Sequence, residues 1–435
     1  MLYDEPTNDS GESNDNTRAS LLRRHQRGIR LLDHPHFLLL YVPKDDGSKM
    51  KLVKPASDAY HRERLVQKID DKNLLLPYYA LSHLWGTTKE NRYHWNDISE
   101  YVDDENGQPV KPVSMRPEKR DSLLALLKHH PDSYWWVDVL CARTDTPLVI
   151  MGDIYACCNT CYAMIDCEAD LIPKINSMMH QLYDGTWTWT LDSYKEAYNT
   201  VDIFYQSSWW NRVWTLQEAV LPDEVVFIAE TPTAISDSNM LSINDLKKFC
   251  DKAWEYIAAE WGELQYKREG EFKRDTTTGF TSSMDDCLDA SDIKVVFATA
   301  VQETAWCRTY YTKHVTYATK AITPSSINFL FAAFARSSRQ CMDPVDYVYG
   351  VLGVLQFDVP RKTDANEVWQ LFISELQKLV TDPKRITIED ELDKVLVSRY
   401  CSDRARECNL LTAENMCQVF GYFYLPVPTF GMGLV

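Results

Sequence analysis

Strand-sized apolar runs alternate with helical patterns along the middle of this chain, and that alternation limits its fold more than any other feature. Tyr78 to Gly86, Tyr134 to Cys141, Cys161 to Cys167 and Glu224 to Ala229 each read as a buried strand. Between the first two, Arg120 to Lys128 repeats its apolar residues at helical spacing. Between the second and third, Thr146-Pro147 supplies an N-cap and first-turn signal for a helix running to about Asn159. The interval Ala169 to Tyr205 reads as an insertion carrying a helix. Such alternation predicts an α/β fold, a parallel sheet flanked by helices, with a mostly helical C-terminal region. Ligands of these sheets collect at the carboxyl ends of the strands, which directs attention to Ser82 to Gly86 and to Cys141 to Asp145.

The chain divides around that core. Residues 1–19 are polar and acidic and read as a disordered tail. Residues 20–76 predict a helix and then a hairpin across Lys44 to Ser48, packed on the core. Residues 77–230 make the α/β domain and residues 231–375 a helical region, within which Lys267 to Ser283 reads as a mobile loop. Asp343 to Leu355 predicts a helix opening on Asp343-Pro344. Residues 376–435 form an extension without a clear assignment.

Composition removes several classes of function. A net charge of -17 and a pI near 5.1 disfavour a nucleic-acid surface, which needs an excess of clustered Lys and Arg. The basic cluster from Leu21 to Arg27 is short and reads as a solvated patch. The apolar runs are too short to span a membrane, and the polar, acidic start is unlike a secretory signal, so a cytoplasmic location is expected. The twelve cysteines then read as reduced thiols. Cys158 and Cys161 have C-x-x-C spacing but no second pair and no nearby histidine, which suits buried thiols at a helix-to-strand junction better than a metal site. Neither a metal nor a cofactor is expected, since no phosphate-binding loop, dinucleotide fingerprint, nucleophile elbow or zinc-helix motif is present.

The richest candidate for chemistry is Ser207 to Glu218, read as a short tryptophan-rich helix. Trp214 and Glu218 are four residues apart and share a helical face. An aromatic plate beside a carboxylate suits a ring-bearing cationic ligand. The same spacing suits core tryptophans with Glu218 at the surface or in a salt bridge.

Four segments, in order, resemble the fungal heterokaryon incompatibility (HET) domain. Tyr79 to Gly86 is similar to the family's "Y-x-A-L-S-Y-x-W-G", and Trp136 to Cys141 to its "W-x-D-x-L-C-I-N-Q", with Asp153-Ile154-Tyr155 following like "M-x-x-I-Y". Trp210 to Glu218 resembles "W-x-R-x-W-T-L-Q-E", and Asp343 to Leu355 resembles "D-x-x-D-x-V-Y-A-L-L-G-L". Two departures stand out: Ala142-Arg143 replaces the family's Asn-Gln, and His83 replaces its tyrosine.

The resemblance implies a TIR-like, flavodoxin-like core, related to Toll/interleukin-1 receptor (TIR) domains, and a part in self/non-self recognition that triggers programmed cell death. TIR enzymes cleave the nicotinamide-ribose bond of NAD with a helical glutamate, in a pattern like "S-x-W-C-x-x-E", to which Ser208-Trp209 and Trp214 to Glu218 are similar with more residues between. It implies Glu218 as the catalytic residue and Ser82, His83, Trp85, Gly86, Asp138, Arg212 and Trp214 as substrate-binding residues, with NAD as substrate. Trp214 would stack on a ring and Arg212 meet a phosphate. The alternative is a non-enzymatic scaffold that self-associates or pairs with other HET or TIR-like domains, with the tryptophans as core.

Overall fold

Alternate buried strands of this sequence pair in parallel because helical segments long enough for crossovers separate them. A computed structural model describes residues 12–45, 47–69, 74–86, 92–188, 190–231, 236–253, 255–256, 303–305, 307–311 and 322–425, with backbone alone for 12–20 and 191. The strands are β1 (Leu39–Val42), β2 (Met50–Val53), β3 (Tyr79–His83), β4 (His94–Trp95), β5 (Val102–Asp103), β6 (Val113–Ser114), β7 (Ser133–Val137), β8 (Thr160–Ile165), β9 (Val225–Ala229) and β10 (Met240–Ser242). Eight of them form one sheet in the order β10-β9-β8-β3-β7-β1-β2-β5.

The centre of that sheet, β9-β8-β3-β7, is wholly parallel, and antiparallel β10 and β1 flank it. The predicted α/β class is therefore correct, and the hairpin predicted across Lys44 to Ser48 is β1 paired with β2. The sheet also reaches past both ends of residues 77–230, recruiting β1 and β2 before it and β10 after it.

Helices α1 (Glu12–Leu32), α2 (Ala59–Gln67), α3 (Pro117–His129), α4 (Asp138–Cys141), α5 (Val149–Cys157), α6 (Leu171–Tyr183), α7 (Leu191–Tyr205) and α8 (Trp214–Val220) link the strands. From β3 the chain passes through α3 to β7 on one side, and from β7 it returns through α5 to β8 on the other. Right-handed crossovers require these two connections to use opposite faces, so β3 and β8 diverge at a topological switch point. Further helices at Pro324–Phe334, Ala365–Thr381, Glu391–Tyr400 and Met416–Phe420 enclose Phe331, Trp369, Phe372, Phe420 and Phe423, all buried.

Several expectations are corrected. Helix α1 begins at Glu12 and takes in residues 12–19 of the expected tail, whereas residues 1–11 and the loop from Lys267 to Ser283 lie outside the described residues. The basic cluster from Leu21 to Arg27 is not a solvated patch. Arg24 is buried and pairs with Asp223, and Arg27 pairs with Asp153 and Tyr311, which fastens α1 to the core. The apolar run Tyr134 to Cys141 is a strand only to Val137, because Asp138 turns the chain into α4. The insertion holds two helices, α6 and α7. Asp343 to Leu355 folds as two single turns, Asp346–Tyr349 and Leu352–Leu355, instead of one helix. Cys157, Cys158 and Cys161 are buried thiols where α5 passes into β8, as expected.

Candidate functional site

Each parallel strand delivers a polar group at its carboxyl end. Ser82 and His83 close β3, and Asp138, Asp166 and Glu230 directly follow β7, β8 and β9. The tryptophan-rich run is not one helix. Ser208–Asn211 forms a 3-10 turn, the chain extends at Arg212, and α8 starts at Trp214. Asp166 caps the start of that turn, its carboxylate accepting from the amides of Ser208 at 3.0 Å and Trp209 at 3.2 Å.

The break turns Trp209 and Glu218 onto the same serine. The Trp209 indole donates to Ser82 Oγ at 2.7 Å, and Ser82 Oγ donates to the Glu218 carboxylate. Tyr155 of α5 also lies near enough to that carboxylate to favour its charged form. Glu218 is buried and makes no ion pair among the described residues. Burial raises its pKa to about 7; the charge of Arg212 and the hydrogen bond from Ser82 pull the other way, and Asp138 adds to the rise. A carboxyl group of this kind exchanges its proton near neutral pH, as a general acid or base requires.

A second set surrounds Asp138. Its carboxylate accepts from the Trp85 indole at 2.5 Å and the Val139 amide at 2.6 Å. His83 Nε2 stands 2.8 Å from Asp138 Oδ1 but out of line for a hydrogen bond, while Nδ1 is 3.0 Å from the carbonyl of Leu84. Burial alone would raise the Asp138 pKa, yet His83, Trp85 and Arg212 outweigh it and hold the carboxyl below its usual value. Trp85, 47% exposed, presents its ring outside while its nitrogen is pinned inside. Behind it, the fully buried Lys119 donates to the Leu84 carbonyl and approaches Glu230 at 3.5 Å. Burial lowers the Lys119 pKa to about 8, against the attraction of Glu230.

Arg212 joins the two sets. Its side chain donates to the His83 carbonyl at 3.1 Å, and its charge lowers the pKa values of Glu218, Asp138 and Asp346 without an ion pair to any of them. Trp214, four residues before Glu218, lies near enough to Asp346 to lower its pKa and so faces the region C-terminal to the sheet. Gly86 is buried against backbone: a Cβ there would stand 2.7 Å from the Met115 nitrogen and from the Tyr93 oxygen. It serves the close approach of three chain segments and presents no surface to a ligand.

Of the residues singled out from sequence, Ser82 meets Glu218, and His83, Trp85, Asp138 and Arg212 adjoin that pair. Trp214 turns to Asp346, and the alternative of Glu218 as a surface or salt-bridged residue does not hold. Arg143, at the family's Asn-Gln position, bonds Leu140, Thr146 and Glu105 and touches none of the site residues. Sequence reading gave no site role to Tyr155, Trp209, Asp166, Lys119 and Glu230. Tyr155 and Trp209 lay inside the motifs compared above, a carboxylate directly after each buried strand was the available signal for Asp166 and Glu230, and nothing local marked Lys119. Ser82 is 1% and His83 2% exposed and Glu218 is buried with them, while a 280 Å³ cavity lies elsewhere, beside Trp369, Arg404 and Tyr422.

Residues 78–218 match the family model described as heterokaryon incompatibility protein (HET), an interval running from the start of β3 to Glu218 itself. No curated protein and no solved structure matches the chain.

Proposed function

We propose, for a chain that carries a heterokaryon incompatibility (HET) domain at residues 78–218, a part in self/non-self recognition in which the domain drives a programmed cell-death response by hydrolysing NAD. The observation that carries the enzymatic reading is Glu218. It is a buried carboxyl group at the switch point of a parallel sheet, hydrogen-bonded to Ser82, with a pKa raised by burial to about 7.

Hydrolysis breaks the bond from the ribose anomeric carbon to the pyridinium nitrogen. The nitrogen keeps the electron pair and leaves as neutral nicotinamide, positive charge develops on the ribose, and water adds to the anomeric carbon and releases one proton. A fixed carboxylate beside that carbon stabilises the charge and takes the proton. In this reading Glu218 is that carboxylate, and Ser82 orients it until substrate hydroxyls replace the serine. Arg212 meets a phosphate and Trp85 offers a ring face at the mouth.

A second reading, a self-associating interaction module without catalysis, draws support from the closure of the site, because Ser82 and His83 expose 1% and 2% of their surface. Nicotinamide release from NAD, followed with the wild-type protein and Glu218→Gln, separates the two. Release abolished by the substitution supports the first reading. Absence of release from self-associated wild-type protein supports the second, and release that survives Glu218→Gln removes Glu218 from the chemistry.

A further inference from the structure

The segment that follows the matched domain reaches back to the site at one buried cation. Arg339 is 1% exposed and lies outside residues 78–218. Its guanidinium donates to the carbonyl of Arg212 at 2.9 Å, to Thr215 Oγ1 at 2.7 Å and to Glu303 at 3.0 Å, and lies 6.0 Å from the centre of the Trp210 ring. The next residue ties its backbone to the same stretch. The Gln340 amide donates to the Asn211 carbonyl at 2.7 Å, and the Val213 amide donates to the Gln340 carbonyl at 3.0 Å. These bonds hold the extended break between the 3-10 turn and α8, the point from which the Arg212 side chain departs toward the His83 carbonyl.

We propose that Arg339 is a positioning residue of the Glu218 site: by gripping the Arg212 carbonyl and Thr215 it fixes where the Arg212 guanidinium stands, so the site is composite, with its charge arrangement set from the C-terminal region. The inference rests on the site described above and not on its reaction. Two features support it. A rigid planar fork that satisfies three acceptors at once fixes geometry in a way that a single-point contact does not. In addition, among the described residues Arg212 has no ion pair and its guanidinium makes one hydrogen bond, so a grip on its backbone bears directly on where that group stands. Glu303 completes the device, since it neutralises the buried Arg339 and aims it.

The test reads the field of Arg212 at Glu218. Because that charge lowers the Glu218 pKa, a displaced Arg212 raises the titration midpoint. Carbon-13 resonances of glutamate carboxyl groups in the full-length chain, with Glu218 assigned by its loss in Glu218→Gln, give the midpoint directly. Arg339→Met is expected to move it upward by about a factor of three to ten in the proton dissociation constant, roughly half a unit to one unit. Arg339→Lys restores part of the shift, and Asn328→Ala, which removes contacts to Leu425 within the C-terminal helices, leaves it in place. An unchanged midpoint in folded Arg339→Met overturns the proposal. Should that variant fail to fold, Glu303→Gln decides by the same criterion, an upward shift supporting the proposal and none overturning it. The midpoint requires no NAD hydrolysis, so loss of the proposed activity and loss of this inference are separate results.

Discussion

Gly152 of α5 and Gly353 of the Leu352–Leu355 turn meet backbone to backbone: a Cβ on Gly152 would stand 2.8 Å from the Cα of Gly353. A Cβ on Gly353 would stand 2.1 Å from Gln217 Oε1 and 2.9 Å from the Cα of Gly152. Gly152 and Gly353, 201 positions apart in sequence, thus touch without side chains between them, and Gln217 sits in the same contact. Gly353→Ala is expected to destabilise the fold by about 1–3 kcal/mol, because main chain cannot yield as a flexible side chain does. Urea unfolding measures it. Gly47→Ala, where a Cβ meets nothing within 4 Å, should stay within about 0.5 kcal/mol of wild type.

Gln217 ties the stretch Trp210 to Glu218 to the stretch Asp343 to Leu355. Its buried amide donates to the Tyr349 carbonyl at 2.9 Å and accepts from the Gly353 amide at 2.9 Å. Gln217→Leu keeps the volume but leaves two buried backbone groups unpaired, at an expected cost of about 1–3 kcal/mol each. Gln217→Glu is the sharper comparison, since a carboxylate cannot donate to Tyr349; a melting temperature equal to wild type would contradict the bridging role.

Glu218 makes stability depend on pH with a definite sign. Its folded pKa of about 7 lies above the ordinary 4.5, so between these values the folded state holds more proton than the unfolded state. The contribution is fully present below pH 4.5 and is lost as pH rises through 7. Across that window wild type should lose about 3 kcal/mol relative to Glu218→Gln. Denaturant curves of both proteins at pH 5 and pH 8 test this, and a constant difference would show that the carboxyl group is not held in a desolvated site.

Asp132 gives the opposite sign at the far end of the sheet. Its backbone is left-handed at φ 58, and its carboxylate accepts from Tyr41 at 3.0 Å, from Lys68 at 2.8 Å and from Arg64. Burial alone would raise its pKa, but these three partners together hold it below the usual value. Its stabilisation is therefore present above the unfolded carboxylate pKa and is lost as pH falls through the folded one. Asparagine tolerates the left-handed backbone, so Asp132→Asn isolates the charge and should cost about 0.5–1.5 kcal/mol at pH 7. The difference should vanish in acid; if it persists below pH 3, the ion pairs are not its source.

The sequence by itself determined the parallel core. Buried stretches such as Tyr134 to Val137 and Cys161 to Ile165 are continuous apolar runs, and the helical intervals between the strands are long enough to cross over. Those properties are local, written in residue type and spacing. It also determined which stretch holds the candidate carboxylate, because Trp210 to Glu218 keeps its motif intact. What only the tertiary structure decided is where those residues point. Asp166 caps the 3-10 turn and Gln340 holds the break that follows it, so that Trp209 meets Ser82 while Trp214 lies toward Asp346. Arg24 looked like a solvated cation until Asp223, 199 residues away, supplied its partner. The pKa of Glu218 is likewise invisible in the chain, because the burial that raises it and the groups of Arg212 and Ser82 that oppose the rise come from distant parts of the sequence. Periodicity records which face of an element is apolar, whereas hydrogen bonds and charge fields act through space between residues that the sequence keeps far apart.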